Sequence, residues 1–135
     1  MKPEAKQWLT FARTDYMVAK HLDETYYPKP LEIICYHCQQ SAEKAIKAII
    51  VELCKQESVP KKHDLSFLLE CINASVEVPE RYMDYADTLT PYGVAVRYPN
   101  ELYIEEHNAL TALRYAEEIL QWAENVTDKH CDELD

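Results

Sequence analysis

The chain has 135 residues, 47% of them apolar, and a formal net charge of −10, which describes one domain able to bury a core and excludes a disordered chain. The acidic excess disfavours non-specific binding to DNA or to any other polyanion over the whole surface. A single glycine excludes glycine-rich phosphate loops and a turn-rich β protein, and the absence of an apolar run of about 18 residues excludes a membrane span. Charged residues in the first 13 positions leave no signal-peptide core, so the expected compartment is the cytoplasm.

In chain order, Pro3 suits the first turn of a helix, and residues 4–24 place Ala5, Trp8, Leu9, Ala12, Tyr16, Ala19 and Leu22 on one face. Tyr27-Pro28-Lys29-Pro30 breaks this helix. The stretch 31–57 is the organising one. Leu31, Ile34, Cys38, Ala42, Ala45, Ile46, Ile49 and Leu53 recur by threes and fours over about seven turns. Its other face carries Gln40, Glu43, Lys44 and Lys47, with Glu43 and Lys47 spaced to pair on a solvated surface. A loop at 56–62 ends it. Asp64 is the predicted N-cap of a short third helix burying Leu65, Leu68, Leu69 and Ile72. Pro79 opens a fourth, with Tyr82, Tyr85, Ala86, Leu89 and Tyr92 on a stripe, ended or kinked at Pro91. Residues 94–102 read as a loop. A fifth helix is predicted from Glu105 to Val126, burying Ala109, Leu113, Ala116, Ile119, Leu120 and Ala123. The tail at 127–135 is acidic and reads as frayed. The fold class is therefore all-α: an up-and-down bundle of about five helices, residues 1–128, followed by an acidic tail at 129–135.

Chemistry is sparse. Five cysteines, an odd number, fit reduced thiols used as small hydrophobes. Cys35-Tyr36-His37-Cys38 has two cysteines on one face but no second pair, and His37 points about 100° from Cys38, so no metal site is expected. No Glu stands three residues before any His, which excludes the di-metal carboxylate pattern. No cofactor is called for, and no Mg²⁺ site can be assigned. Charge is uneven. Residues 43–63 hold five Lys against three Glu, whereas residues 100–135 hold ten acids against Arg114 and Lys129. An anionic ligand should look to the middle of the chain. Gln40, Lys44, Lys47, Lys61, Lys62, His63 and the amides following Asp64 form one candidate anion site. In the competing reading Asp64 merely caps the helix and the lysines are solvated. Arg97-Tyr98-Pro99, with Tyr92 nearby in sequence, forms a second candidate, able to stack on a base or grip a phosphate. It could equally lock its loop onto the bundle.

Taken together, these segments resemble the HEPN family (higher eukaryotes and prokaryotes nucleotide-binding domain). Ala12, Asp15 and Ala19 are followed by Gln40-Ser41-Ala42-Glu43-Lys44-Ala45-Ile46-Lys47-Ala48. His63-Asp64-Leu65 and then Tyr92 with Arg97-Tyr98-Pro99 complete the order. The resemblance implies an all-α homodimer, often encoded beside a small nucleotidyltransferase in a toxin–antitoxin-like pair. Some members are ribonuclease toxins. Others bind nucleotide or RNA without catalysis. The ribonucleases carry Arg, four to six residues, then His. Here nine residues separate Arg97 from His107, and seven separate Arg13 from His21. The expectation is thus a non-catalytic module that binds a nucleotide or RNA, a nucleotidyltransferase partner, or both. Its predicted ligand contacts are Gln40, Lys44, Lys47, His63, Asp64, Tyr92, Arg97 and Tyr98. The rival readings are a ribonuclease using Arg97 with His63 or His107 as general acid–base, and a module that binds only protein.

Overall fold

The computed structural model describes residues 1–54, 58–94 and 103–134, with side chains through residue 130. Helix α1 spans Pro3–Thr25, α2 Leu31–Leu53, α3 Leu65–Ile72, α4 Glu80–Leu89 and α5 Glu106–Leu134, and a 3-10 turn at Thr90–Gly93 follows α4. There is no strand among the described residues. The all-α bundle read from the periodicity is the observed fold.

Helix α2 is the axis. It packs on α1, α5, α3 and the 3-10 turn. With neighbours on most sides, it buries the expected Ile34, Cys38, Ala42, Ala45, Ile46 and Ile49, and also Cys35, Ala48 and Ile50. Each large apolar side chain so buried contributes roughly 1.5–3 kcal/mol. Against it α1 sets Ala5, Leu9, Ala12 and Ala19, and α5 sets Ala109, Ala112, Ala116, Ile119 and Ala123. The Ser41 hydroxyl donates to the Ala12 carbonyl at 2.7 Å, tying α2 to α1. The Tyr16 hydroxyl donates to Glu117 at 2.9 Å, tying α1 to α5. Burial and this carboxylate raise the Tyr16 pKa to about 12.

The smaller helices are held by local chemistry. Asp64 caps α3 as predicted, its Oδ1 accepting from the amides of Ser66 (3.0 Å) and Phe67 (3.3 Å). Helix α4 docks on α5 through rings: Tyr82 stacks on Trp122 at 4.7 Å and Tyr85 on Tyr115 at 3.8 Å between centroids. At Pro91 the helix tightens into the 3-10 turn instead of stopping outright.

Two expectations are corrected. The Glu43–Lys47 pair is not a solvated surface: Glu43 is 4% exposed and Lys47 5%. With α1, α3 and the 3-10 turn all packed on α2, little of its circumference is left to water. The fifth helix also does not end at Val126, since α5 continues to Leu134. Its extra turns have partners. Thr127 is fully buried and its hydroxyl donates to the Ala123 carbonyl at 2.8 Å. His130 Nδ1 meets the Glu52 carboxylate of α2 at 2.9 Å. Cys35 and Cys38 lie in the core, where burial pushes the Cys38 thiol up and makes it a poor thiolate. Among the described residues no cluster of three His, Cys, Asp or Glu could hold a metal ion, and no helix is long and apolar enough to cross a membrane.

Candidate functional site

One side of α2 carries a line of polar groups that the bundle covers instead of exposing. Gln39, Glu43 and Lys47 are spaced by four, so they stack along one face. Glu43 is the centre. Its Oε2 accepts from Lys47 Nζ at 3.0 Å and its Oε1 from His63 Nδ1 at 2.8 Å. Gln39, fully buried, donates from Nε2 to Glu43 at 3.2 Å and to the His63 carbonyl at 3.1 Å, and its Oε1 accepts from Gln40 at 2.7 Å. Lys47 Nζ also lies 5.5 Å from the Trp8 ring centroid, a cation–π contact that helps a buried ammonium. Gly93 closes the site, its Cα packed against the Gln39 amide with no room for a Cβ.

A second cluster bridges α1 and α2. Asp15, 9% exposed, accepts from Lys44 Nζ at 2.6 Å and from His37 Nδ1 at 2.9 Å. Together with Glu52 and His130, three largely buried carboxylates each engage the Nδ1 of a histidine. A carboxylate accepting at Nδ1 puts the proton there and leaves Nε2 as the nitrogen for other chemistry. Only His63 does this in the open, with 73% of its side chain exposed against 26% for His37 and 30% for His130.

The sequence-predicted residues therefore separate. Gln40, Lys47 and His63 come together around Glu43, and Lys44 is held on the same helix by Asp15. The Lys47 charge is met inside the bundle by Glu43, and the Lys44 charge by the largely buried Asp15 carboxylate. The α3 amides proposed for an anion are taken by the Asp64 carboxylate. Tyr92 is buried in the 3-10 turn. His107 stands at the start of α5, 3.5 Å from Glu105 and well exposed. Arg97 and Tyr98 lie outside the described residues. Sequence reasoning passed over Asp15, His37, Gln39 and Glu43 as site residues. Asp15 had a signal: it sits within the apolar stripe of Ala12, Tyr16 and Ala19, where a solvated carboxylate does not belong.

The match to known proteins decides the family. The family model described as HEPN domain matches residues 5–126. The chain belongs to the HEPN family. Among solved structures, this HEPN chain is similar to TT1696 from Thermus thermophilus, at 26% identity and a TM-score of 0.77, covering 93% of this chain and 99% of that one. It is also similar to ST0689, an archaeal HEPN homologue, at 25% identity and a TM-score of 0.67, with 93% and 98% covered. An HEPN domain protein of Thermotoga maritima shares the fold at 24% identity and a TM-score of 0.55, with 95% and 97% covered. No curated protein matches the chain.

Proposed function

We propose that this HEPN domain is a non-catalytic binding module for the phosphates of a nucleotide or RNA. The observation that carries the reading is the exposed Lys61-Lys62-His63 segment on an otherwise acidic chain, with the His63 ring held in place by buried Glu43. Two ammonium groups give a phosphate two charged donors, and the fixed His63 ring adds a third at Nε2 when it is protonated. The sequence resemblance adds a homodimer and a nucleotidyltransferase partner to the same proposal. The exposed Tyr26, Tyr27 and Ile33 at the α1–α2 turn are apolar surface that such a partner, or a second copy, would cover.

The test is a thermal-shift and direct-binding series with ATP, GTP, their diphosphates and short RNA at two salt concentrations. Ligand at a hundredfold over its Kd stabilises by about 2.7 kcal/mol, a clear rise in Tm. The rise should vanish in Lys61→Ala/Lys62→Ala, whose side chains are exposed and whose loss leaves the fold intact. If no ligand shifts the wild-type protein, the phosphate-binding reading fails and the protein-partner reading replaces it.

A second reading has its own observation. The Glu43–His63 dyad has the form of an oriented general base with Nε2 facing solvent. Metal-independent RNA cleavage abolished by His63→Ala and weakened in Glu43→Gln would make this domain a ribonuclease with a site unlike the Arg–His spacing of its catalytic relatives.

A further inference from the structure

A separate cleft of about 340 Å³ opens where the end of α2, the α3–α4 connection and the last turns of α5 meet. That is near the lower end of the roughly 300–1,000 Å³ that small-molecule sites occupy. Leu53, Trp122 and Val126 form apolar wall, and Lys129, His130 and Glu77 bring charge to it. We propose that this cleft binds a small carboxylate with an apolar body, the body against Trp122 and the carboxylate between Lys129 and His130.

Three features support a built site. The Trp122 indole is fixed by its stack on Tyr82, so one side of the wall is rigid before any ligand arrives. His130 is fixed as well. Its Nδ1 is held at 2.9 Å by Glu52, a carboxylate with 2% of its side chain exposed that also accepts the Lys2 amide at 2.7 Å. That leaves Nε2 for a ligand, and it is the protonated ring that presents an N–H there to a carboxylate. Lys129 is exposed and has no ion-pair partner among the described residues. Glu77 sets the limit. A carboxylate on the same cleft repels a second negative charge, which selects a monoanion over a phosphate monoester. The site shares no residue with the Lys61–His63 segment, and its test is independent of that reading.

The probe is phenylacetate, with acetate (charge without the body) and benzyl alcohol (body without the charge) as controls. The protein has two tryptophans, Trp8 and Trp122, so its amide–proton NMR spectrum holds two indole signals, assigned by Trp8→Phe. Phenylacetate should move the Trp122 signal saturably in the millimolar range and leave Trp8 in place, with neither control doing so. Lys129→Gln, at an exposed position, should weaken the apparent Kd about tenfold, the effect of removing one charged hydrogen bond. A Trp122 signal that does not move, or an affinity that Lys129→Gln leaves unchanged, overturns the proposal.

Discussion

A Cβ on Gly93 would stand 2.8 Å from Gln39 Cδ and 3.0 Å from both its amide heteroatoms. The backbone there is not left-handed, so alanine is conformationally acceptable and would gain about 0.4–1 kcal/mol from the unfolded state. Overpacking outweighs that gain, because Gln39 is buried and held by three hydrogen bonds. Gly93→Ala should cost about 1–3 kcal/mol in denaturant unfolding. Adding Gln39→Ala should remove part of that cost, so the pair should be clearly non-additive. Burial likewise ranks the ion pairs. Lys47→Met keeps the stem against Trp8 and leaves Glu43 short of its ammonium. The expected loss is about 3 kcal/mol or more, as for a buried charge that loses its counter-ion. Arg13→Ala removes a 2.8 Å pair to Glu124 whose side chains are 49% and 32% exposed, and should cost under about 1 kcal/mol. Equal losses in the two variants would contradict the burial argument.

At the scale of one helix, the C-terminal end of α5 depends on a titratable contact. Burial alone would push the Glu52 pKa up. The hydrogen bonds from the Lys2 amide and His130 outweigh burial and hold it below the ordinary 4.5. A carboxyl whose folded pKa is depressed adds stability above its unfolded value and loses it as pH falls through the folded one. The turns around Thr127–His130 should therefore lose hydrogen-exchange protection below about pH 4.5, while the α1–α2 core keeps its protection. Glu52→Gln should flatten that pH dependence and leave the last turns open at neutral pH. Helix α4 depends on different chemistry. It is short, has no side-chain N-cap, and is fastened by the Tyr82 and Tyr85 ring stacks on α5.

Across the whole molecule, charge segregation governs association. The net charge of −10 repels polyanions, so the proposed RNA contact must act locally and fall steeply with salt. If Lys61 and Lys62 each neutralise one phosphate of a single strand, Lys61→Ala/Lys62→Ala should lower the slope of log K against log salt by about 1.4. An unchanged slope would place the contact elsewhere. The all-α class, the helix order, the Asp64 cap and most of the core were legible in the chain's own pattern. Each follows from local periodicity and capping chemistry, which neighbouring residues settle among themselves. The same pattern also carried the family resemblance, through Gln40–Ala48 and His63-Asp64-Leu65. Which polar residues meet was settled by the packing of the helices. Periodicity assigned Glu43 and Lys47 to the solvent face because a helix wheel shows which residues share a face but not how many neighbours cover it. Three elements cover that face here, so a surface pair became a buried one. The Asp15–His37–Lys44 and Glu52–His130 contacts join residues 22 to 78 positions apart. No local pattern encodes such distances; the packing of α1 and α5 on α2 closes them.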